Sequence, residues 1–447
     1  MRNAPPVLPG SGGTTESPSD RALALTLAGE RDAALRWAAA ILKADPAAPL
    51  ALILVGRHLG EANRQEVARE ACTVAIERAI DLENLPLAVI AAREAERFGA
   101  DIGPLLDGIA DAFASTSRRF GAGAVPPAVL PDVDSFQPLA SVLGGTLLNN
   151  KATEIVHEAR AKLEKAERPG LNRQPLFSAL DAAALRQLCE GMRPEWFAAD
   201  HVIIEQGTQG EDAFWLARGE LEARRTRRGA TIPLARLKSG ALFGEMALLS
   251  RTPRAGSVVA LRPSVVVRIN KATLDAVAAQ HPIVATEIGV HCRDRMVSNL
   301  LKTSEVLKGL PEADLPALIQ RFQIQTFEQN EHILEQDEVA KGIHLIASGE
   351  ITMVRRDAES DPLVLGTLGA GDVAADVAAV FRRKTNVALV ASQPTVTLVL
   401  PVGEVVGIAK THPAILAQLY VLAAQHDEET TYIMDEEASV AEDFDLI

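Results

Sequence analysis

Cysteine is scarce: Cys72, Cys189 and Cys292 are the three in 447 residues, far apart and in no Cys-x-x-Cys or His-rich spacing. That excludes a disulfide framework and a zinc centre as organising devices, and a reducing cytoplasm is the expected compartment. Aromatics amount to 4%, so the Ala- and Leu-rich first half is expected to be helical and to pack through small side chains. No stretch approaches the roughly 18 uncharged apolar residues a bilayer span needs, so integral membrane insertion is not expected. Base is outnumbered by acid, 45 Lys and Arg against 59 Asp and Glu, for a net charge of −14. Such a field repels phosphate backbones and argues against nucleic acid as a partner. Catalytic signatures are missing as well: there is no kinase Gly-rich loop with its catalytic Asp, no metal cluster of a cyclase or phosphodiesterase, and no nucleophile motif. The chain reads as a non-enzyme without cofactor or metal, whose output passes through contact.

The length calls for several domains. Residues 1–20 are rich in Pro, Gly and Ser and lack the apolar core of a signal peptide, so a disordered leader is expected. From Arg21 to Ser115 apolar residues recur at three and four spacing between short Gly, Asn and Pro breaks, which predicts consecutive amphipathic helices. Within them Gly29 to Ala34, Ala38, Ile41-Leu42 and Asp45-Pro46 resemble one tetratricopeptide unit, with another small helical bundle as the alternative. Residues 116–172 read as a linker rich in Gly and Pro followed by a helix of alternating charge at Lys151–Glu167. Beyond Arg168-Pro169-Gly170 the texture turns to short β-branched and aromatic runs between Trp196 and Ile269, which predict strands, and helical patterning returns from Lys271 to Leu301.

The sequence then repeats. Gly210 to Glu220 aligns with Ala340 to Glu350, and Pro175 to Asp181 with Glu305 to Pro311, at a period near 130 residues. Each copy has the order helix, about eight strands, helices, as in a β-roll with a helical lid. The first copy contains Gly240-Ala-Leu-Phe243-Gly244-Glu245-Met246-Ala247-Leu-Leu249, then Pro253-Arg254-Ala255-Gly256-Ser257. After Phe243-Gly244 a single helical turn would aim free N–H groups at an anion. Arg254 offers a fork for two phosphate oxygens, and Glu245 can accept from a ribose hydroxyl. This string resembles the phosphate-binding cassette of the cyclic-nucleotide-binding domain family, which includes protein kinase A regulatory subunits and bacterial catabolite activators. The resemblance implies that Phe243, Gly244, Glu245, Met246, Ala247, Arg254, Ala255, Gly256 and Ser257 bind a cyclic nucleotide, with Ala255 leaning toward cyclic AMP. Gly256 stands where the family more often has Ala, which is expected to loosen the cassette.

In the second copy, Gly371 to Asn386, the central Gly is Ala375, the Glu is Asp376 and Thr385 stands in place of the anchoring Arg. Losing a charge-assisted bidentate contact costs about 1.5–3 kcal/mol, so this degenerate site is expected to be empty unless Arg382, Arg383 or Lys384 supplies the cation. Arg224-Arg225-Thr226-Arg227-Arg228 reads as a solvated hairpin tip, Arg118-Arg119-Phe120-Gly121-Ala122 as a faint kinase-inhibitor-like segment, and 427–447, with nine acids and no base, as a solubilising or docking tail. The expected layout is an α+β multidomain chain: a helical repeat-like domain at 21–115, β-rolls at 173–303 and 304–426, and the tail. The function expected is a cytoplasmic cyclic-nucleotide sensor regulating a protein partner through the helical domain or the tail. The alternative is an interaction scaffold with two structural β-rolls that bind no small ligand.

Overall fold

The computed structural model describes residues 16–121, 129–165, 167–174, 177–227, 230–245, 253–303, 320–356, 362–411, 417–428 and 431. Helices come first: α1 (Pro18–Leu27), α2 (Arg31–Ala44), α3 (Pro49–Glu61), α4 (Gln65–Asp81), α5 (Leu85–Arg97) and α6 (Ile102–Phe113). They pack as successive antiparallel hairpins. The short connections are made by Gly29, Asn63, Glu83 and Gly99, all at positive φ, the backbone state that stops a helix and reverses the chain. Ala22, Ala38, Ala39, Ala71, Ala75, Ala88, Ala91 and Ala92 are buried between helices. Small side chains thus do the packing that the shortage of aromatics demands.

Two expectations about this region change. The leader was expected to run to residue 20, but α1 begins at Pro18 and is closed by a capping box: Ser17 Oγ accepts from Asp20 N–H at 3.2 Å and Asp20 Oδ2 from Ser17 N–H at 3.2 Å. Where it is described, the expected linker lies against the helical domain. Residues 129–144 lie along α2, with Phe136 stacked on Trp37 at 6.0 Å and Leu139 N–H donating to Arg36 C=O. Helix α7 (Gly145–Leu163) then buries Ala152, Ile155 and Val156 against α2, α3 and α4. Of the kinase-inhibitor-like segment, residues 118–121 are held against the helical domain, and Ala122 lies outside the described residues. Arg119 is paired with Asp81 at 2.7 Å and bonded to Pro169 C=O, and Phe120 bridges to Leu171.

After α8 (Ala182–Gly191) come eight described strands: β1 (Arg193–Phe197), β2 (Val202–Ile204), β3 (Asp212–Arg218), β4 (Glu220–Arg227), β5 (Ala230–Lys238), β6 (Leu242–Phe243), β7 (Ser257–Ala260) and β8 (Ser264–Asn270). They form two four-stranded antiparallel sheets, β1-β8-β3-β6 and β2-β7-β4-β5, closed by α9 (Lys271–Gln280) and α10 (Pro282–Thr303). The second copy repeats this with β9 (Gln323–Phe327), β10 (His332–Leu334), β11 (Gly342–Ser348), β12 (Glu350–Arg355), β13 (Leu363–Gly369), β14 (Val373–Ala374), β15 (Ala388–Ala391) and β16 (Thr395–Pro401), in sheets β9-β16-β11-β14 and β10-β15-β12-β13. In the second copy a short helix α11 (Asp376–Val380) follows β14, and α12 (Val402–Thr411) and a helix at 417–428, α13, come after β16. The repeated Gly-Glu step has one physical cause in both copies. Gly219 and Gly349 turn between strands at φ +114° and +91°, where a Cβ would come within 2.1 Å of Ser264 Oγ and 2.4 Å of Thr395 Oγ1. No side chain fits there.

The first β-roll is docked on the helical domain. Helix α5 packs on β1, β3 and β8. The Asn84 amide donates to Ala217 C=O at 2.8 Å and the Arg57 guanidinium lies 4.9 Å over the Trp196 ring. Asp20, 1% exposed, receives Arg218 and Arg262 at 3.3 and 3.2 Å. Roll A therefore rests on the α1, α3 and α5 side, while α7 covers the α2 and α4 side. The basic run is also placed differently from expectation. Arg224 to Arg227 belong to strand β4, and Arg225 is buried, because its guanidinium Nε donates to Ala255 C=O at 2.9 Å.

Candidate functional site

The cassette begins where β6 ends. Phe243 is buried and stacks on Phe214 at 5.3 Å in the roll's own core, so its side chain serves packing. Gly244 follows at φ +72°; a Cβ there would lie 2.9 Å from Ile204 and 3.1 Å from the Arg254 guanidinium. Both backbone conformation and space therefore demand glycine. Glu245 is 4% exposed, and its carbonyl accepts from the Cys292 thiol of α10 at 3.7 Å, which ties the lid helix to the cassette. Met246 and Ala247 lie outside the described residues.

Arg254 reaches back into the roll. Its two terminal nitrogens donate to Gly244 C=O at 2.9 Å and to Asp212 C=O, at the start of β3, at 2.8 Å. Gly210 lies against the guanidinium, with room for no Cβ, which would come within 2.6 Å of it. Burial lowers the Arg254 pKa, and the nearby carboxylates of Asp212 and Glu245 act in the opposite sense; the side chain nevertheless stays a cation, as guanidinium does in proteins. The site thus holds a half-buried positive charge beside a buried carboxylate, with two of the five guanidinium donors committed to backbone carbonyls.

The flanking residues are placed by loop pairing. Gly207 N–H donates to Arg254 C=O and Arg254 N–H to Thr208 C=O, each at 2.9 Å. Ser257 Oγ accepts from Gln206 N–H at 3.0 Å, and Ala255 C=O holds Arg225. Gly256 departs from its expected role. A Cβ at this position would stand 2.8 Å from Arg224 C=O, so glycine is what lets β7 close on β4. Arg225 escaped the sequence reading because a run of five mostly basic residues looks solvated, whereas strand alternation turns one of them inward.

The second copy reproduces the backbone without the charge. Asp337 N–H donates to Thr385 C=O at 2.8 Å and Thr385 N–H to Glu338 C=O at 2.9 Å, the same pairing that frames Arg254. Thr385 is therefore its structural counterpart, and its hydroxyl is turned to Val387 C=O at 2.8 Å. Ala375 holds φ +62° where the first copy has Gly244. Asp376 is 3% exposed and its Oδ2 pairs with His426 Nδ1 of α13 at 2.8 Å. Arg382, Arg383 and Lys384 do not fill the gap: all three are exposed, and Arg383 pairs with Asp427 and lies over the Phe381 ring.

The profile of the Cyclic nucleotide-binding domain family matches residues 194–281 and 324–412. The chain is 25% identical over 229 residues to mouse cGMP-dependent protein kinase 2, covering 50% of this chain and 28% of that protein. It is 26% identical over 203 residues to the cAMP-dependent protein kinase regulatory subunit of Yarrowia lipolytica, covering 45% and 50%. It thus spans at most half the length of these relatives. Among solved structures, the regulatory domain of Toxoplasma gondii PKA with cAMP is similar at 19% identity and a TM-score of 0.29, covering 56% of this chain and 92% of that one. Residues 194–281 and 324–412 are two tandem domains of the cyclic nucleotide-binding family, carried behind an N-terminal helical domain.

Proposed function

We propose that the first β-roll binds cyclic AMP and that binding changes how this roll sits on the helical domain, so regulating a protein partner. The carrying observation is Arg254, a half-buried cation set beside Glu245, Ala255, Gly256 and Ser257 and held, among the described residues, by two backbone carbonyls. A cyclic phosphate competes for those same donors as a charged, bidentate acceptor, which a neutral carbonyl cannot match. Phosphate on Arg254, a ribose hydroxyl on Glu245 and loop N–H groups at Ala255 to Ser257 then complete the site.

The route outward follows from β3. Its first residue supplies the carbonyl held by Arg254, and its last two supply Ala217 C=O to Asn84 and Arg218 to Asp20. Movement of Arg254 toward phosphate releases one end of a strand whose other end is the docking contact. The helix face of α1, α3 and α5 that would receive a partner is covered by roll A in this structure, and release of the roll uncovers it. Ligand biases that equilibrium only by its difference in affinity for the two states, so the partner must change nucleotide affinity in return.

Calorimetric titration of the full chain with cyclic AMP and cyclic GMP, beside Arg254→Ala, tests the reading. Saturable binding tighter for cyclic AMP, weakened tenfold to a hundredfold by Arg254→Ala, is expected, from the lost bidentate contact of about 1.5–3 kcal/mol. Absence of heat with either nucleotide returns the chain to the scaffold alternative.

A further inference from the structure

Helix α13 grips the second cassette with side chains of its own. Leu419 and Ala423 are buried, and His426 follows them on one helix face at spacings of four and three residues. That face and its flank meet the segment 376–383, the counterpart of the phosphate cassette, at three places. His426 Nδ1 donates to Asp376 Oδ2 at 2.8 Å, Arg383 pairs with Asp427, and the Tyr420 ring stands edge-on to Phe381 at 5.9 Å. The segment is bent at both of its turns by residues at positive φ, Ala375 at +62° and Arg382 at +51°.

The acceptor in the first of these contacts gives it meaning. Asp376 stands where the first roll has Glu245, and at 3% exposure its carboxylate is cut off from water. A buried carboxylate has to be met by a donor. In the first roll a ribose hydroxyl fits that part; in the second a ring nitrogen of the chain's own helix already fills it. Thr385, at the position of the anchoring arginine, turns its hydroxyl to Val387 C=O, so that position offers no charge to draw a phosphate in and push the helix aside. Helix α10, which reaches the first cassette through Cys292, packs on β5 of the first roll and on β11 of the second. A second roll that stays shut gives α10 a fixed surface to move against.

We infer that helix α13 is the built-in occupant of the second cassette: His426 latches it to Asp376 in place of a ligand, and the roll is a permanently closed platform for α10, not a second sensor. The latch goes beyond cyclic AMP binding by the first roll and holds whether or not that site is filled. His426 acts here as a positioning residue, through Asp376.

Hydrogen–deuterium exchange read by mass spectrometry on the full chain tests the latch. Without nucleotide, amides of 417–428 and 376–380 are expected to exchange slowly in the unsubstituted chain. His426→Leu keeps the bulk and removes the donor, and both segments should then exchange at least tenfold faster. His426→Asn carries an amide N–H donor in reach of the same carboxylate, and protection should be retained. Equal exchange in His426→Leu and the unsubstituted chain, or equal loss in the Leu and Asn variants, overturns the inference by reducing His426 to a surface or a packing residue. The unsubstituted chain guards against a variant that misfolds: exchange at 417–428 as fast as in an unfolded peptide, slowed only when millimolar cyclic AMP or cyclic GMP is added, shows a lid that waits for ligand and overturns it as well. Failure of the first-site reading is separate, because it is seen as absent cyclic AMP binding by calorimetry and leaves the nucleotide-free exchange rates as they are.

Discussion

A methyl group added at Gly256 would stand 2.8 Å from the carbonyl oxygen of Arg224, against an ordinary carbon–oxygen contact of about 3.3–3.6 Å. The obstacle is backbone, so relief requires β4 and β7 to part by roughly 0.5 Å. Those strands are in register at this point, Arg224 opposite Ser257, and Arg225 holds Ala255 next to it. Gly256→Ala is therefore expected to cost about 1–3 kcal/mol, the range for an overpacked core, and to lower the melting temperature of the first roll by several degrees per kcal/mol. The displacement falls on Ala255 and Ser257, so cyclic AMP affinity should fall together with stability. Differential scanning calorimetry with and without nucleotide, and titration of the same preparation, measure both. A melting temperature equal to or above that of the unsubstituted chain, with undiminished affinity, would refute the argument and show that the loop relaxes at no cost.

Asp20→Ala removes the carboxylate that receives both Arg218 and Arg262 and half of the α1 capping box. The expected loss is about 3 kcal/mol, the lower end for breaking a buried pair because both arginines keep access to water; limited proteolysis should then separate roll A from the helices, and unchanged proteolysis would disconnect Asp20 from docking. Burial pushes His58 and His344 down to about 4 from the usual 6.5, so between pH 6.5 and 4 the unfolded chain binds more protons than the folded one and stability falls as pH falls, by about 2 kcal/mol per histidine at pH 5. Urea midpoints at pH 7 and 5 read this, and His344→Gln should remove the share that belongs to the second roll; equal midpoints would contradict it.

What the chain alone determined is what local pattern can carry. The period of the helices, the alternation of the strands, the turn glycines Gly219 and Gly349 and the unbroken cassette string from Phe243 to Ser257 each depend on residues near one another, and the second copy's loss of its arginine at Thr385 was visible by alignment. Tertiary structure decided the rest, because each remaining fact joins distant segments. Arg254 is held by Asp212, 42 residues earlier, Gly256 is required by a carbonyl on another strand, and Asp20, placed in the leader by composition, is buried by arginines 198 and 242 residues away. Composition cannot distinguish a solvated charge from one neutralised across a domain contact, since the side chain is the same and the partner is set only when the chain has folded back.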